Sequence, residues 1–176
     1  DNLSFTFDTP NLFSMPAGDV GFAGAIEYGE QSYRINPDPL ALTADAIHAH
    51  GSLAGIELWH GGAHASNRMT RVPGIAPDVQ PALYHLPATA RAMDLSDIKA
   101  FRGWQREAAL RAKQAGFDIV YVYAGHDYLP FQFLSRRTNH RGDAYGGSLE
   151  NRVRLLREMI EDTKDAVGDT CAVAVR

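Results

Sequence analysis

Two long amphipathic stretches, each stopped by a glycine and followed by a short apolar run, constrain this chain more than any other feature. One is "DLSDIKAFRGWQREAALRAKQAG", followed by "FDIVYVY"; the other is "SLENRVRLLREMIEDTKDAVG", followed by "CAVAVR". In the first, Ile98, Phe101, Ala108 and Ala112 form an apolar stripe at helical spacing, with Ser96 or Asp94 as N-cap and Gly116 as stop. In the second, Leu149, Val153, Leu156, Ile160 and Val167 are the apolar positions and Gly168 is the stop. "SLAGIELWH" reads as another strand, preceded by a helix in "DPLALTADAIHAH", and "AGAIEYGE" as a further short strand. Strands alternating with helices, the strands nearly continuous in apolar residues, specify a parallel sheet covered by helices. The two architectures of that kind are the open doubly wound sheet and the (β/α)8 barrel. No GxGxxG follows a strand, so the dinucleotide-binding open sheet lacks its fingerprint and the α/β barrel is expected.

Both architectures keep their chemistry at the C-terminal ends of strands. There, "FDIVYVYAGHDYLP" places Tyr123 and, three residues on, His126. A phenol (pKa ~10) and an imidazole (~6.5) within hydrogen-bond reach tune each other and can manage a proton. The plainer reading is a core tyrosine and a loop histidine bonded to a backbone carbonyl. Glu57, late in "SLAGIELWH", and Arg176, last in "CAVAVR", also stand at strand ends. They either meet a ligand or pair with each other across the mouth of the sheet. Glu57, His60 and His64 raise a metal alternative, but Gly61 and Gly62 break the helical spacing that chelation would need, so no metal is expected. A polar loop is expected from the end of "FDIVYVY" through Gly147, and "RRTNHRGDAYGGSLENR" reads as architecture: Arg141 pairs with Asp143, Gly146 and Gly147 turn the chain, and Ser148 caps the next helix. Its other basic residues read as a solvated face.

The balance of 17 basic and 21 acidic residues gives a net charge of −4 with no basic block, which argues against a nucleic-acid partner. No apolar run approaches the roughly 18 residues of a membrane span. "DNLSFTFDTP" has no secretory pattern, so a cytoplasmic location is expected. The one cysteine, Cys171, rules out an internal disulfide or a cysteine-only cluster site within this chain and reads as a core thiol. Residues 1–24 show no sustained period and read as an irregular N-terminal arm ahead of a barrel domain over 25–176. Residues 61–93 read as a long polar excursion, of the kind that is usually functional.

From residue 26 onward, and most clearly over 51–176, the sequence resembles the old yellow enzyme family of FMN-dependent (β/α)8 oxidoreductases. "HDYLPFQFLSRRTNHRGDAYGGSLENRVRLL" is similar to that family's signature after barrel strand four, "GIELWHGGAHA" to its strand three and "AVAVR" to its strand five. The Tyr123–His126 pair, with "INPD", "MDLSDI" and "DIVYVY", resembles the trimethylamine, dimethylamine and histamine dehydrogenase subgroup. The resemblance implies catalytic roles for Tyr123 and His126 on the substrate face of FMN, together with an acidic residue from a later strand. It implies that Glu57 contacts the flavin pyrimidine edge, that Arg176 lies near N1 and O2, and that Tyr28 lines the substrate pocket. It implies a small-molecule amine substrate and leaves the electron acceptor open. NAD(P)H-dependent ene-reduction is the alternative within the family. A whole barrel takes about 250 residues, and the 176 here correspond to about strands 2–5. A fragment of a longer enzyme is therefore expected. The rival is a non-catalytic half-barrel that works as a homo-oligomer or with a complementing chain. A 4Fe-4S cluster is implied only for a longer parent, because its ligands are absent here.

Overall fold

The structure is a computed structural model that describes the chain except residues 1–2, 16–17, 29–37, 66–71 and 83–87, with side chains described from residue 38 onward. Its centre is a three-stranded parallel sheet of β3 (Gly55–Leu58), β7 (Ile119–Val122) and β8 (Ala172–Val175), in that spatial order. Helix α2 (Leu95–Gln114) crosses from β3 to β7, and helix α4 (Leu149–Val167) crosses from β7 to β8. Strands adjacent in this order, all parallel and joined by helices, are what a barrel wall requires.

Register decides which side of the sheet is core. Ile56 pairs with Val120 and Val120 with Val173, while Glu57 pairs with Tyr121 and Tyr121 with Ala174. Because side chains alternate, Ile56, Leu58, Val120, Val122 and Val173 share one face, and that face packs under the helices. Ala109, Ala112 and Ala166 are small enough to bring the helices close to it. Phe133, Leu155 and Met159 close the upper layer with Ile98, Phe101 and Val122, each large side chain contributing about 1.5–3 kcal/mol by burial. The opposite face carries Gly55, Glu57, Tyr121, Ala174 and Arg176, and in the described residues it is partly open.

Helix α2 starts with a reciprocal capping box: Asp94 accepts from the Asp97 amide, and Asp97 accepts from the Asp94 amide. Its buried stripe is Ile98, Phe101, Gln105, Ala109 and Ala112. Ala109 faces inward in place of the expected Ala108, and Gln105 is tolerated because its amide donates to Thr163 on α4 at 3.3 Å. The stripe of α4 departs from expectation in part. Val167 is buried as expected and Leu156 and Ile160 pack partly buried against the core, but Arg152, Leu155, Met159, Thr163 and Ala166 are buried too and Leu149 is exposed. Two polar residues sit on the buried side because each finds a partner there, so apolar spacing alone misplaces part of the face.

Other expectations are corrected. Residues 3–15 and 18–28, read as an irregular arm and a short strand, form an antiparallel pair, β1 (Leu3–Met15) and β2 (Gly18–Tyr28), with Phe5 opposite Ile26. The signal was present: Leu3, Phe5 and Phe7 alternate with Ser4, Thr6 and Asp8 at the period of a strand. "AGAIEYGE" does supply strand residues, but their described partner is β1 and not the parallel sheet. The 61–93 excursion holds a 3-10 turn (Gly62–His64) and three short strands, β4 (Ile75–Ala76), β5 (Gln80–Pro81) and β6 (Thr89–Ala92). A six-residue helix, α3 (Leu129–Leu134), follows β7 where a polar loop was expected. The helix α1 (Pro39–His48) is capped by Asp38, and His48 bonds Asp118 at 2.7 Å. Cys171 is buried as expected and donates its thiol hydrogen to the Phe117 carbonyl at 3.1 Å. No described helix is long and apolar enough to cross a membrane.

Candidate active site

The parallel ladder continues one residue beyond the strands. The Tyr123 amide donates to the Leu58 carbonyl, the Arg176 amide to the Val122 carbonyl and the Ala124 amide to the Arg176 carbonyl. Glu57, Tyr123 and Arg176 therefore lie at the same, C-terminal, end of three adjacent strands. Glu57 and Arg176 do pair with each other, Oε1 to Nη1 at 2.8 Å. That bond raises the Arg176 pKa from its ordinary value. The guanidinium also lies 5.5 Å from the centre of the Tyr123 ring. Both partners of the ion pair are exposed, so the pair is a surface feature of the open face and not a buried lock. The remaining Arg176 donors, Nε and Nη2, have no protein partner among the described residues.

Tyr123 is 4% exposed, and its hydroxyl is hydrogen-bonded to His126 Nδ1. The two rings are nearly parallel, 9° apart in plane and 5.7 Å between centres. His126 and the next residue, Asp127, both have left-handed backbone, with φ of 52° and 57°. Left-handed backbone costs a non-glycine residue roughly 1–2 kcal/mol, and such outliers concentrate at functional sites.

Four of the five expected site residues are thus one connected group: Glu57, Arg176, Tyr123 and His126. Tyr28 ends β2 opposite Leu3, and its side chain lies outside the described residues. His60 and His64 go to separate partners. His60 Nδ1 accepts the Gly62 amide at 3.0 Å, and burial lowers its pKa. His64 Nε2 meets Asp127 Oδ2 at 3.3 Å.

Several residues around the group carried no separate signal in the sequence. Trp59 stacks on Tyr128 at 4.8 Å, and Tyr128 in turn lies 5.7 Å from the Tyr123 ring. Trp59 is 60% exposed, so this aromatic shelf is open. Gln132 is fully buried. It accepts from the Ala63 amide through Oε1 at 3.1 Å and donates to the Asp127 carbonyl at 2.6 Å. It presses against Gly62, whose φ is 60°, so closely that a Cβ at Gly62 would collide with its amide. A glutamine inside "LPFQFLS" gives no hint of this from sequence, because Ala63 is distant in the chain and the nearer partner, Asp127, is met through its backbone carbonyl.

The loop from Arg136 to Arg152 behaves as architecture. Arg141 bonds Asp143 at 2.5 and 3.1 Å and also donates to the Pro77 carbonyl at 3.0 Å. Ser148 accepts from the Asn151 amide at 3.2 Å. The expected solvated basic face holds for Arg136, whereas Arg137 is exposed but pairs with Asp127, and Arg152 is buried, donating to the carbonyls of Leu134 and Gly147. Among the described residues, no three His, Cys, Asp or Glu side chains gather as a metal site.

Residues 38–176 match the family described as NADH:flavin oxidoreductase / NADH oxidase. The chain is similar to the dimethylamine dehydrogenase of Hyphomicrobium sp. (strain x), 37% identical over 148 residues, which are 78% of this chain and 19% of that protein. It is similar to the NADPH dehydrogenase of Halalkalibacterium halodurans, 46% identical over 123 residues, 70% of this chain and 35% of that protein. Among solved structures, the 6-hydroxypseudooxynicotine amine oxidase of Pseudomonas geniculata N1 superimposes with a TM-score of 0.76 and 54% identity, covering 78% of this chain and 21% of that one. The chain therefore spans about a fifth to a third of the length of the proteins it matches.

Proposed function

This chain belongs to the NADH:flavin oxidoreductase / NADH oxidase family, whose characterised relatives are FMN-dependent oxidoreductases. From that premise we propose that it is about the strand-two to strand-five portion of an amine-oxidising flavoenzyme. The observation that carries this reading is the hydrogen-bonded Tyr123–His126 pair beside the Glu57–Arg176 pair at one end of the sheet.

FMN, when bound, supplies a hydride acceptor, flavin N5, for the substrate carbon next to the amine nitrogen. The donor set here fits its ring edge. Glu57 offers a carboxylate acceptor for a ring N–H, and the Arg176 donors left unpartnered in the described residues offer cationic bonds to ring oxygen and nitrogen. Mutual pairing holds both side chains ready at that edge. Tyr123 Oη and His126 Nδ1 share one hydrogen bond, so together they can take a proton from a protonated amine and return it. Loss of that proton frees the nitrogen lone pair that assists departure of hydride from the adjacent carbon. Tyr28 would line the substrate pocket. An acidic side chain from a later strand would complete the Tyr–His unit.

The partners in this reading are a small-molecule amine and an electron acceptor. The remaining barrel strands would come from a longer parent chain, from a second copy or from a complementing chain. A 4Fe-4S cluster would belong only to a longer parent, since the single cysteine here cannot hold one. The 46% identity to an NADPH dehydrogenase favours a second reading, in which NADPH reduces the flavin and an unsaturated substrate reoxidises it.

Anaerobic mixing of the FMN-loaded protein with histamine or dimethylamine, and separately with NADPH, distinguishes the two. Loss of the flavin's visible band with the amine alone supports amine oxidation, and loss with NADPH alone supports the second reading. Tyr123→Phe is expected to slow amine-driven reduction by about 100-fold, the range of a lost proton-transfer group. An unchanged rate would remove Tyr123 from this role.

A further inference from the structure

Residues 125–128 make a tight turn whose two central residues, His126 and Asp127, carry side chains on left-handed backbone. The Tyr128 amide donates to the Gly125 carbonyl at 3.1 Å, and both central residues, His126 and Asp127, have positive φ. Positive φ at both central positions is the pattern of a type I′ turn, which favours Asn, Asp and Gly there. Left-handed backbone still carries a cost for a residue with a Cβ, and contacts beyond the turn offset that cost.

The Asp127 side chain supplies such contacts. Its Oδ2 meets His64 Nε2 at 3.3 Å and Arg137 Nη2 at 3.2 Å. Its carbonyl accepts from Gln132. Asp127 thereby ties together the 3-10 turn that follows β3, helix α3 and the loop after α3. His126 is the next residue in the chain, and its own side chain reaches the Tyr123 hydroxyl.

We propose that Asp127 is a positioning residue whose carboxylate, anchored by His64 and Arg137, holds His126 in the left-handed conformation that brings Nδ1 to the Tyr123 hydroxyl. The kinetic consequence rests on the amine-oxidation reading; the geometric claim does not. The rival account is that Asp127 is present only because Asp tolerates left-handed backbone. The two separate cleanly, because Asn and Gly tolerate that backbone at least as well and lack the charge.

The test uses the whole chain with Asp127→Asn and Asp127→Gly, and Tyr123→Phe as the reference for a broken pair. The imidazole 15N shifts of His126 are read by NMR. In both Asp127 variants they are expected to move at least about halfway to the Tyr123→Phe values, with the amide signals of α2 and α4 unchanged. Wild-type shifts in either variant overturn the proposal. Should neither variant fold, Arg137→Ala, at an exposed residue, decides: a shift in the same direction supports the anchor, and an unchanged spectrum overturns it. With FMN and amine, Asp127→Asn should lower the limiting rate of flavin reduction about tenfold while leaving FMN affinity within about twofold. A wild-type protein that oxidises no amine would defeat the amine reading and leave the NMR result standing.

Discussion

Along β3, β7 and β8 the side chains that build the fold and those placed for chemistry alternate, one residue apart. Ile56, Val120 and Val173 point under the helices, where burial against Ala109, Ala112 and Ala166 fixes the sheet. Glu57, Tyr121 and Ala174, their immediate neighbours in the chain, share the other face, which is partly open and ends in the Glu57–Arg176 pair. Parallel sheets are ordinarily covered on both faces. The contrast teaches that stability and ligand chemistry are divided here by the parity of the strand position. A substitution on one face should register mainly in unfolding, and on the other mainly in binding.

Three substitutions can break or sharpen that division. The largest effect is expected from Leu155→Ala, fully buried under the helix-side core, with a loss of about 3 kcal/mol in denaturant unfolding; a loss below about 1 kcal/mol would mean the core repacks freely. Next comes Gly62→Ala. Its positive φ and the collision with Gln132 should cost about 2 kcal/mol. Because Gln132 also holds the Asp127 carbonyl, this change should disturb His126 as well as stability, which makes it the case where parity alone fails. Glu57→Gln is the smallest in stability, about a degree in thermal midpoint for an exposed pair, yet it should weaken FMN binding. Unchanged FMN affinity would leave Glu57 as nothing more than the salt-bridge partner of Arg176.

The parallel strands were legible in the sequence because each is a short apolar run after a glycine-stopped helix. The four strand-end side chains were legible because ionisable and phenolic groups are conspicuous where such runs finish. What escaped was decided by pairing across distance. Gln105 with Thr163, and Arg152 with two carbonyls, occupy buried positions that apolar spacing assigns to neighbours, which is why the stripe of α4 was misplaced in part. The left-handed turn at His126 and Asp127 includes Gly125 and Asp127, but the His at its first central position gives no sign of positive φ. Gln132 looked like loop polarity because both its partners lie outside its own helix. The N-terminal pair escaped for a different reason: glycines and prolines drew attention away from a plain two-residue alternation.

The buried thiol of Cys171 makes the chain its own clock. It sits immediately before β8, bonded to a carbonyl just ahead of β7, so a thiol reagent can reach it only when those two segments part. The rate at which reagent labels Cys171 therefore counts the openings of the sheet margin that carries Arg176. Slower labelling on adding FMN would be a record of how firmly a ligand at the strand ends closes the margin from which it is held.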